Sequence, residues 1–297
     1  MSSGNLTADR RFAYAQMLRK DGDFDAAAEV LTQTLDLAPA WPEGRFALAE
    51  VLAEAGRKYD AVAAFESYLE LDPADSMGAA VKLALLNPEA PAVLPPAYLS
   101  RLFDEYAQRF EKALLEKLNY RAPQILRAAL DEVEPGGIFA RVFDLGCGTG
   151  LAGLALNDRA GWLGGVDLSA AMLKGAADKN IYDQLTVGDM TAALENLDAA
   201  CDVIIAADVL TYVGDLAPLF AAVRRHLTDG GLFAFTVQRH DGEGFVLGQE
   251  HRFSHSRAYV ELLALQAAFE ILKLDAAVSR QEKGADVPGL VAVLRAA

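Results

Sequence analysis

Four aspartates stand where short apolar runs end: Asp144 in RVFD, Asp167 in WLGGVD, Asp189 in QLTVGD and Asp208 in VIIAAD. Each run is rich in β-branched or aromatic residues and is bounded by turn signals. Each therefore reads as a strand with a carboxylate near its tip. The first is followed by Gly146, Gly148 and Gly150 in DLGCGTG. Glycines reach positive φ and let a ligand touch the backbone. A Gly-rich strand-to-helix turn alone is weak evidence, because dinucleotide enzymes use one too. The dinucleotide pattern places a third glycine three residues after the second, and here Leu151 holds that place. Asp144 beside the turn would also repel a pyrophosphate. It suits a ligand that carries an ammonium group.

The other three carboxylates extend the pattern. Asp167 can accept both hydroxyls of a ribose. Ser169 is the better start for the following helix, which leaves Asp167 for a ligand. Met172, one turn later, could pack on an adenine face, although a methionine at that spacing is by default core. Asp189 could accept from an adenine amino group, and Gly188-Asp189 is otherwise a turn signal. Asp208 could orient an acceptor, neutralise a cationic ligand or act as a base, or simply start a helix. Tyr212 and His255 are the other candidate bases. Metal binding by His240, His251 and His255 lacks supporting ligand spacing, so no metal is expected.

These residues need a scaffold. Helices are expected over 98–120 and 123–133. Strands at 141–145, 162–167, 183–187, 202–207 and 231–238 then alternate with helices at 151–158, 170–179, 216–227 and 257–269. Final strands are expected at 269–274 and 290–294. Such alternation implies an α/β fold, a largely parallel sheet with helices on both faces, with ligands at the carboxyl ends of the strands. DLGCGTG, GVDLS, VGDM and AADVLTYVGDL, in that order, resemble the class I S-adenosylmethionine-dependent methyltransferases, with their Rossmann-like seven-stranded sheet. FDEYAQRFEKAL (103–114) and NYRAP (119–123) resemble the lid that precedes the first strand in small-molecule members.

The resemblance implies roles residue by residue. Asp144, Gly146, Cys147 and Gly148 would hold the methionine part of S-adenosylmethionine. Asp167 would bind ribose, with Leu168 and Met172 around the adenine and Asp189 and Met190 at its edge. Tyr106 would approach the cofactor, with Tyr120 and Arg121 weaker candidates, and Asp208 would lie beside the sulfonium. The Asn-Pro-Pro-Tyr motif of adenine- and glutamine-amide methyltransferases is absent, since Asp208-Val209-Leu210-Thr211 stands there. That disfavours nucleobase or glutamine N-methylation.

Upstream, two segments align without a gap. Gly22 pairs with Gly56, Ala27 with Ala61, Leu31 with Phe65, Leu35 with Leu69 and Pro39 with Pro73. The constant offset of 34 is that of a tetratricopeptide repeat, two antiparallel helices per unit. A third apolar helix over 76–86 would cap the stack. Residues 1–90 thus read as an all-α repeat domain, 91–97 as a Pro-rich linker and 98–297 as the methyltransferase-like domain. The repeats could bring a protein partner or a protein substrate. A scaffold that only senses the cofactor is the alternative to an enzyme.

Bulk properties narrow the partners. With 27 Lys+Arg against 42 Asp+Glu the net charge is −15, which disfavours nucleic acid and anionic membrane surfaces. A small-molecule acceptor is favoured. Two cysteines are too few for a disulfide framework. No signal peptide or membrane span is visible, so a cytoplasmic location is expected.

Overall fold

The computed structural model describes residues 2–87 and 94–297. The chain divides into two compact units, Met1–Tyr98 and Leu99–Ala297. Of the linker expected at 91–97, residues 91–93 lie outside the described residues, and its last two residues already belong to a helix.

The first unit is built from α1 (Leu6–Lys20), α2 (Phe24–Leu37), α3 (Pro42–Glu54), α4 (Lys58–Leu71) and α5 (Ala79–Leu86). The repeat is visible atom by atom at its turns. Gly22 and Gly56 adopt φ +82° and +76°. In both repeats the next residue donates its amide back to a carbonyl of the preceding helix, Asp23 to Leu18 at 3.0 Å and Arg57 to Leu52 at 2.9 Å. This is a helix stop that glycine makes easy. Ala27 and Ala61, again equivalent, are fully buried among Leu31, Leu48, Val51 and Leu52. A second cluster holds Phe46, Phe65 and Tyr68, with edge-on rings 5.2–5.4 Å apart. The capping helix starts later than expected. Gly78 is left-handed, and both Asp75 carboxylate oxygens take the amides of Ala79 and Ala80 at 2.6 and 2.8 Å.

The second unit begins within α6 (Pro96–Tyr106). A 3-10 turn (Ala107–Arg109), α7 (Phe110–Lys117) and α8 (Ala122–Val133) follow. The single helix expected over 98–120 is thus broken at the 3-10 turn and stops at Lys117, with Asn119 left-handed. Then come β1 (Phe139–Leu145), α9 (Leu151–Leu156), β2 (Ala160–Asp167), α10 (Ala170–Ala177), β3 (Gln184–Val187), α11 (Met190–Glu195) and β4 (Cys201–Ala206). The chain continues through a 3-10 turn (Leu210–Tyr212), α12 (Ala217–His226), β5 (Leu227–Arg239), β6 (Phe245–Leu247), β7 (Phe253–His255) and α13 (Arg257–Gln266). It ends with β8 (Phe269–Ala277), the short hairpin β9 (Gln281–Glu282) and β10 (Ala285–Asp286), and β11 (Gly289–Ala296).

The main sheet runs β3-β2-β1-β4-β5-β11-β8, parallel through β5 and antiparallel on both sides of β11. These seven strands match the expected Rossmann-like sheet. The addition is β6 and β7, with β7 pairing parallel to the end of β5. Central strands bury both faces. Phe143, Ile204, Phe233 and Phe235 enter one core, while their neighbours Val142, Val203, Leu232 and Ala234 enter the other. That is why these strands read as continuous apolar runs. Because β1 lies between β2 and β4, the strand order reverses there and opens a crevice at the carboxyl ends.

Phe65→Ala should cost the first unit about 3–5 kcal/mol, because the ring is fully buried between helices. Amide hydrogen exchange across α3–α5 in the intact protein reads this as lost protection.

Candidate functional site

A cavity of about 270 Å³ opens at this crevice. One wall comes from the turn after β1. Gly146, Gly148 and Gly150 have φ +62°, +54° and +88°. A Cβ at Gly146 would collide with the Val209 side chain, so the turn approaches the end of β4 closely only with glycine there. Gly146 and Gly148 line the cavity.

Asp167 holds this wall in place. Its Oδ2 accepts the Gly148 amide at 2.9 Å, and its Oδ1 accepts the Ser169 amide at 2.8 Å. The carboxylate therefore bridges the glycine turn and the start of α10. Burial raises its pKa, the two amides oppose that, and the nearby Asp104 adds to it. Ser169 caps α10, its Oγ accepting from the Met172 amide at 3.0 Å. Asp167 is thus free of the helix cap, as expected, yet it is not idle. Met172 is buried and reaches the cavity.

Asp144 sits behind the turn with no solvent exposure. Its Oδ2 accepts from the Tyr182 hydroxyl at 2.7 Å, while Oδ1 is buried without a partner. Burial pushes the carboxyl up to about 7, reinforced by Asp167 and opposed by Tyr182. Cys147 is buried beside it, and burial pushes its thiol up. Neither lines the cavity itself.

The cover comes from α6 and α7. Ser100 Oγ donates to the Leu168 carbonyl at 3.2 Å. Asp104 Oδ1 accepts from Ser169 Oγ at 2.6 Å and from the Ala171 amide at 3.2 Å. Glu111 pairs with Lys179. These contacts lay Phe103, Tyr106 and Phe110 along the cavity, with Phe103 edge-on to Tyr212 at 5.2 Å. The lid-like segment thus brings Tyr106 to the site. Tyr120 joins it, while Arg121 lies away, in a separate depression along α8.

Asp208 leaves β4 with φ +58°, its amide donated to Thr236 Oγ1 at 2.9 Å. Both of its carboxylate oxygens are taken by Nη1 of Arg280, at 2.7 and 2.8 Å. Arg280 is almost fully buried, with Nη2 on Gln238 and Nε on Glu282. Burial raises the Asp208 carboxyl, opposed by Arg280 and then Arg252. Arg252 stands on the same wall, paired with Glu282 and 6.0 Å above the Tyr212 ring. Arg252 and Arg280 are the residues that sequence reasoning missed. They follow β6 and precede β9, short strands with no strong periodicity, and no local motif marks them.

Three expected assignments fall elsewhere. His255 is fully buried outside the cavity, its Nε2 3.0 Å from the carbonyls of Val213 and Gly214. Those oxygens fix the proton on Nε2. Burial drives the ring down to about 4 against their opposing pull. It is a structural residue of β7 and not a base for the site. Asp189 caps α11, its Oδ1 accepting from Thr191 and Ala192 at 2.9 and 3.0 Å. It lines a neighbouring depression at the end of β3. Met190 packs against the sheet core. Among the described residues no group of three or more His, Cys, Asp and Glu could hold a metal ion. No described helix is long and apolar enough to cross a membrane.

Two consequences can be measured. Arg280→Met should cost about 3–5 kcal/mol, since it strands the buried Asp208 carboxylate, and denaturant unfolding would report it. The imidazole of His255, followed by NMR, should stay neutral until about pH 4. Its folded value lies below the ordinary 6.5. Its contribution to stability is therefore complete above pH 6.5 and is lost as pH falls toward 4.

A methyltransferase-domain family model matches residues 143–235, and a tetratricopeptide-repeat model matches residues 18–85. A ubiquinone biosynthesis O-methyltransferase from Idiomarina loihiensis is 28% identical over 128 residues, 41% of this chain and 53% of that protein. A malonyl-[acyl-carrier protein] O-methyltransferase from Geobacter sulfurreducens is 31% identical over 139 residues, 46% of this chain and 48% of that protein. The chain thus spans about half the length of these curated relatives. The fold is shared with the Burkholderia thailandensis 1,6-didemethyltoxoflavin-N1-methyltransferase, solved with its acceptor and S-adenosylhomocysteine. That likeness has TM-score 0.53 at 18% identity, over 70% of this chain and 92% of that one. The cavity has features that suit such a cofactor, a Cβ-free backbone wall at Gly146 and Gly148 and a carboxylate at the tip of β2, and the unpartnered Asp144 Oδ1 lies buried behind that wall. The chain thus carries a match to tetratricopeptide repeats followed by a match to a methyltransferase domain, the latter on a Rossmann-like fold shared with solved methyltransferases.

Proposed function

We propose that the protein transfers the methyl group of S-adenosylmethionine to a small-molecule acceptor. The observation that carries this reading is the cavity at the reversal of strand order. There the glycine turn, Asp167 and Met172 face the aromatic cover and the Asp208–Arg280 wall. The methyltransferase-domain match supports it, as does the fold shared with a methyltransferase solved with the small molecule 1,6-didemethyltoxoflavin and S-adenosylhomocysteine bound.

The bound cofactor supplies an activated methyl group on a sulfonium centre, so the protein need not build an electrophile. The chain's own residues orient and exclude water. The amides and glycines of the turn would hold the amino-acid part, with Asp144 Oδ1 available to the ammonium. Asp167 would accept from ribose, with Leu168 and Met172 toward the adenine. Phe103, Tyr106 and Phe110 close the apolar side, and this alignment is where most of the rate enhancement would arise. Residues 1–90 would act as a separate repeat domain that brings a protein partner. Leu6, Tyr14 and Met17, exposed along α1, favour that role. The location expected for such an enzyme is the cytoplasm.

Asp144 gives the reading a pH signature. Its folded value of about 7 lies above the ordinary 3.8. The stability it lends is complete below pH 3.8 and is lost as pH rises through 7. An ammonium placed beside Oδ1 favours the ionised form. Cofactor affinity should therefore rise with pH up to about 7, with proton release on binding at pH 6. Calorimetry with S-adenosylhomocysteine in two buffers of different ionisation heat measures it. Asp144→Asn should abolish the proton release, and Asp167→Ala should weaken binding at least about tenfold, the loss of a charge-assisted bond. Unchanged affinity in Asp167→Ala would contradict the site.

A further inference from the structure

Resting on the methyl-transfer reading, the question is what kind of acceptor this wall can serve. The carboxylates that line it are already engaged, and the candidate histidine lies outside it. Asp208 gives both oxygens to Arg280 and also accepts from Ser279 Oγ at 3.3 Å. Asp167 gives both oxygens to backbone amides. His255 is outside the cavity, its Nε2 turned to backbone carbonyls. The Tyr120 phenol, 3.4 Å from the Ala207 carbonyl, is raised well above its ordinary value by burial and by Asp208. A cavity so arranged favours an acceptor that arrives with its proton already gone.

The cations point the same way. Arg280 is spent on Asp208, Gln238 and Glu282 and is only 2% exposed. Arg252 differs. It lines the cavity, its side chain is 24% exposed, and Glu282 takes its Nη1. A guanidinium has five N–H donors in a planar fork matched to a carboxylate, so donors remain for a ligand. Across the cavity stand Leu102, Phe103, Phe110, Leu114 and Leu118, an apolar wall that fits a hydrocarbon body.

We propose that the acceptor is a carboxylic acid with an apolar body, bound as its carboxylate through Arg252 and methylated on oxygen to the methyl ester. The carboxylate oxygen forms the new O–C bond as the C–S bond to the sulfonium breaks, its electron pair staying on sulfur. Sulfonium and carboxylate charges cancel, and no proton is taken up or released. No base is needed, which accounts for a cavity whose two lining carboxylates, Asp167 and Asp208, are both committed. Arg252 is a specificity-determining residue, and its pairing with Glu282 holds the fork at the cavity wall.

The test uses the full chain saturated with S-adenosylhomocysteine. Matched sets are titrated in: hexanoate, hexanol and hexylamine; phenylacetate, 2-phenylethanol and 2-phenylethylamine; cinnamate and cinnamyl alcohol. At least one acid should bind tenfold or more tighter than its alcohol and its amine. Arg252→Gln should remove that preference while leaving S-adenosylhomocysteine affinity unchanged, and Arg252→Lys should restore part of it. With methyl-labelled S-adenosylmethionine, the label on the bound acid should be released by alkali as methanol, as an ester requires. The inference is overturned if no acid in the panel binds, if alcohol or amine binds as well as its acid, if Arg252→Gln leaves the preference intact, or if the product resists alkali. Failure of S-adenosylhomocysteine to bind the unmodified chain would overturn the methyl-transfer reading itself, and is read separately before any acid is added.

Discussion

The site depends on one carboxylate. Asp167 joins two segments that the sheet alone would leave independent, the glycine turn after β1 and the start of α10. Charge-assisted bonds of this kind are among the stronger ones in a protein. They are bought against the cost of burying the charge, visible as the raised carboxyl. The turn they brace has left-handed glycines at alternate positions, 146, 148 and 150, a conformation that needs an external anchor to persist. The cover depends on the same place. Asp104 reaches Ser169, the residue whose amide Asp167 holds, and Ala171 two residues on, and Ser100 reaches the Leu168 carbonyl. Cavity floor and cover thus meet on four residues that follow β2.

The opposite wall is organised by charge pairing across long sequence distance. Asp208 at the end of β4 meets Arg280 beside β9, and Glu282 gathers both Arg280 and Arg252. Removing two opposite charges from water repays itself only with good geometry and further hydrogen bonds, and Gln238 and Ser279 supply them. This network turns the ends of β4, β5 and β7 into one rigid surface. It also gives the two ends of the cavity different chemistry: backbone amides and carboxylates on one side, guanidinium groups and phenols on the other.

Much of this was legible in the chain. The parallel strands announce themselves because both faces are buried, which makes runs such as VIIAA continuously apolar. The glycine turn and Asp167 were legible because their residue types have few other uses in that order. The repeat was legible because Gly22/Gly56 and Ala27/Ala61 do the same physical work twice. What stayed hidden depends on tertiary neighbours. His255 is polar in sequence and could serve a site; only the fold shows its Nε2 facing two carbonyls inside β7. Asp189 looked like a ligand group, and its Oδ1 is a helix cap, since α11 is too short to show a period. The break between α6 and α7 carries no proline or glycine to signal it. Arg252 and Arg280 matter through partners that lie many residues away.

The central claim is that this cavity is built for S-adenosylmethionine. Calorimetric titration of the purified full chain with S-adenosylmethionine and, separately, with NAD tests it most directly. The account predicts saturable binding of S-adenosylmethionine at one site per chain and none of NAD. A folded sample that binds NAD, or that gives no saturable response to S-adenosylmethionine, would contradict it.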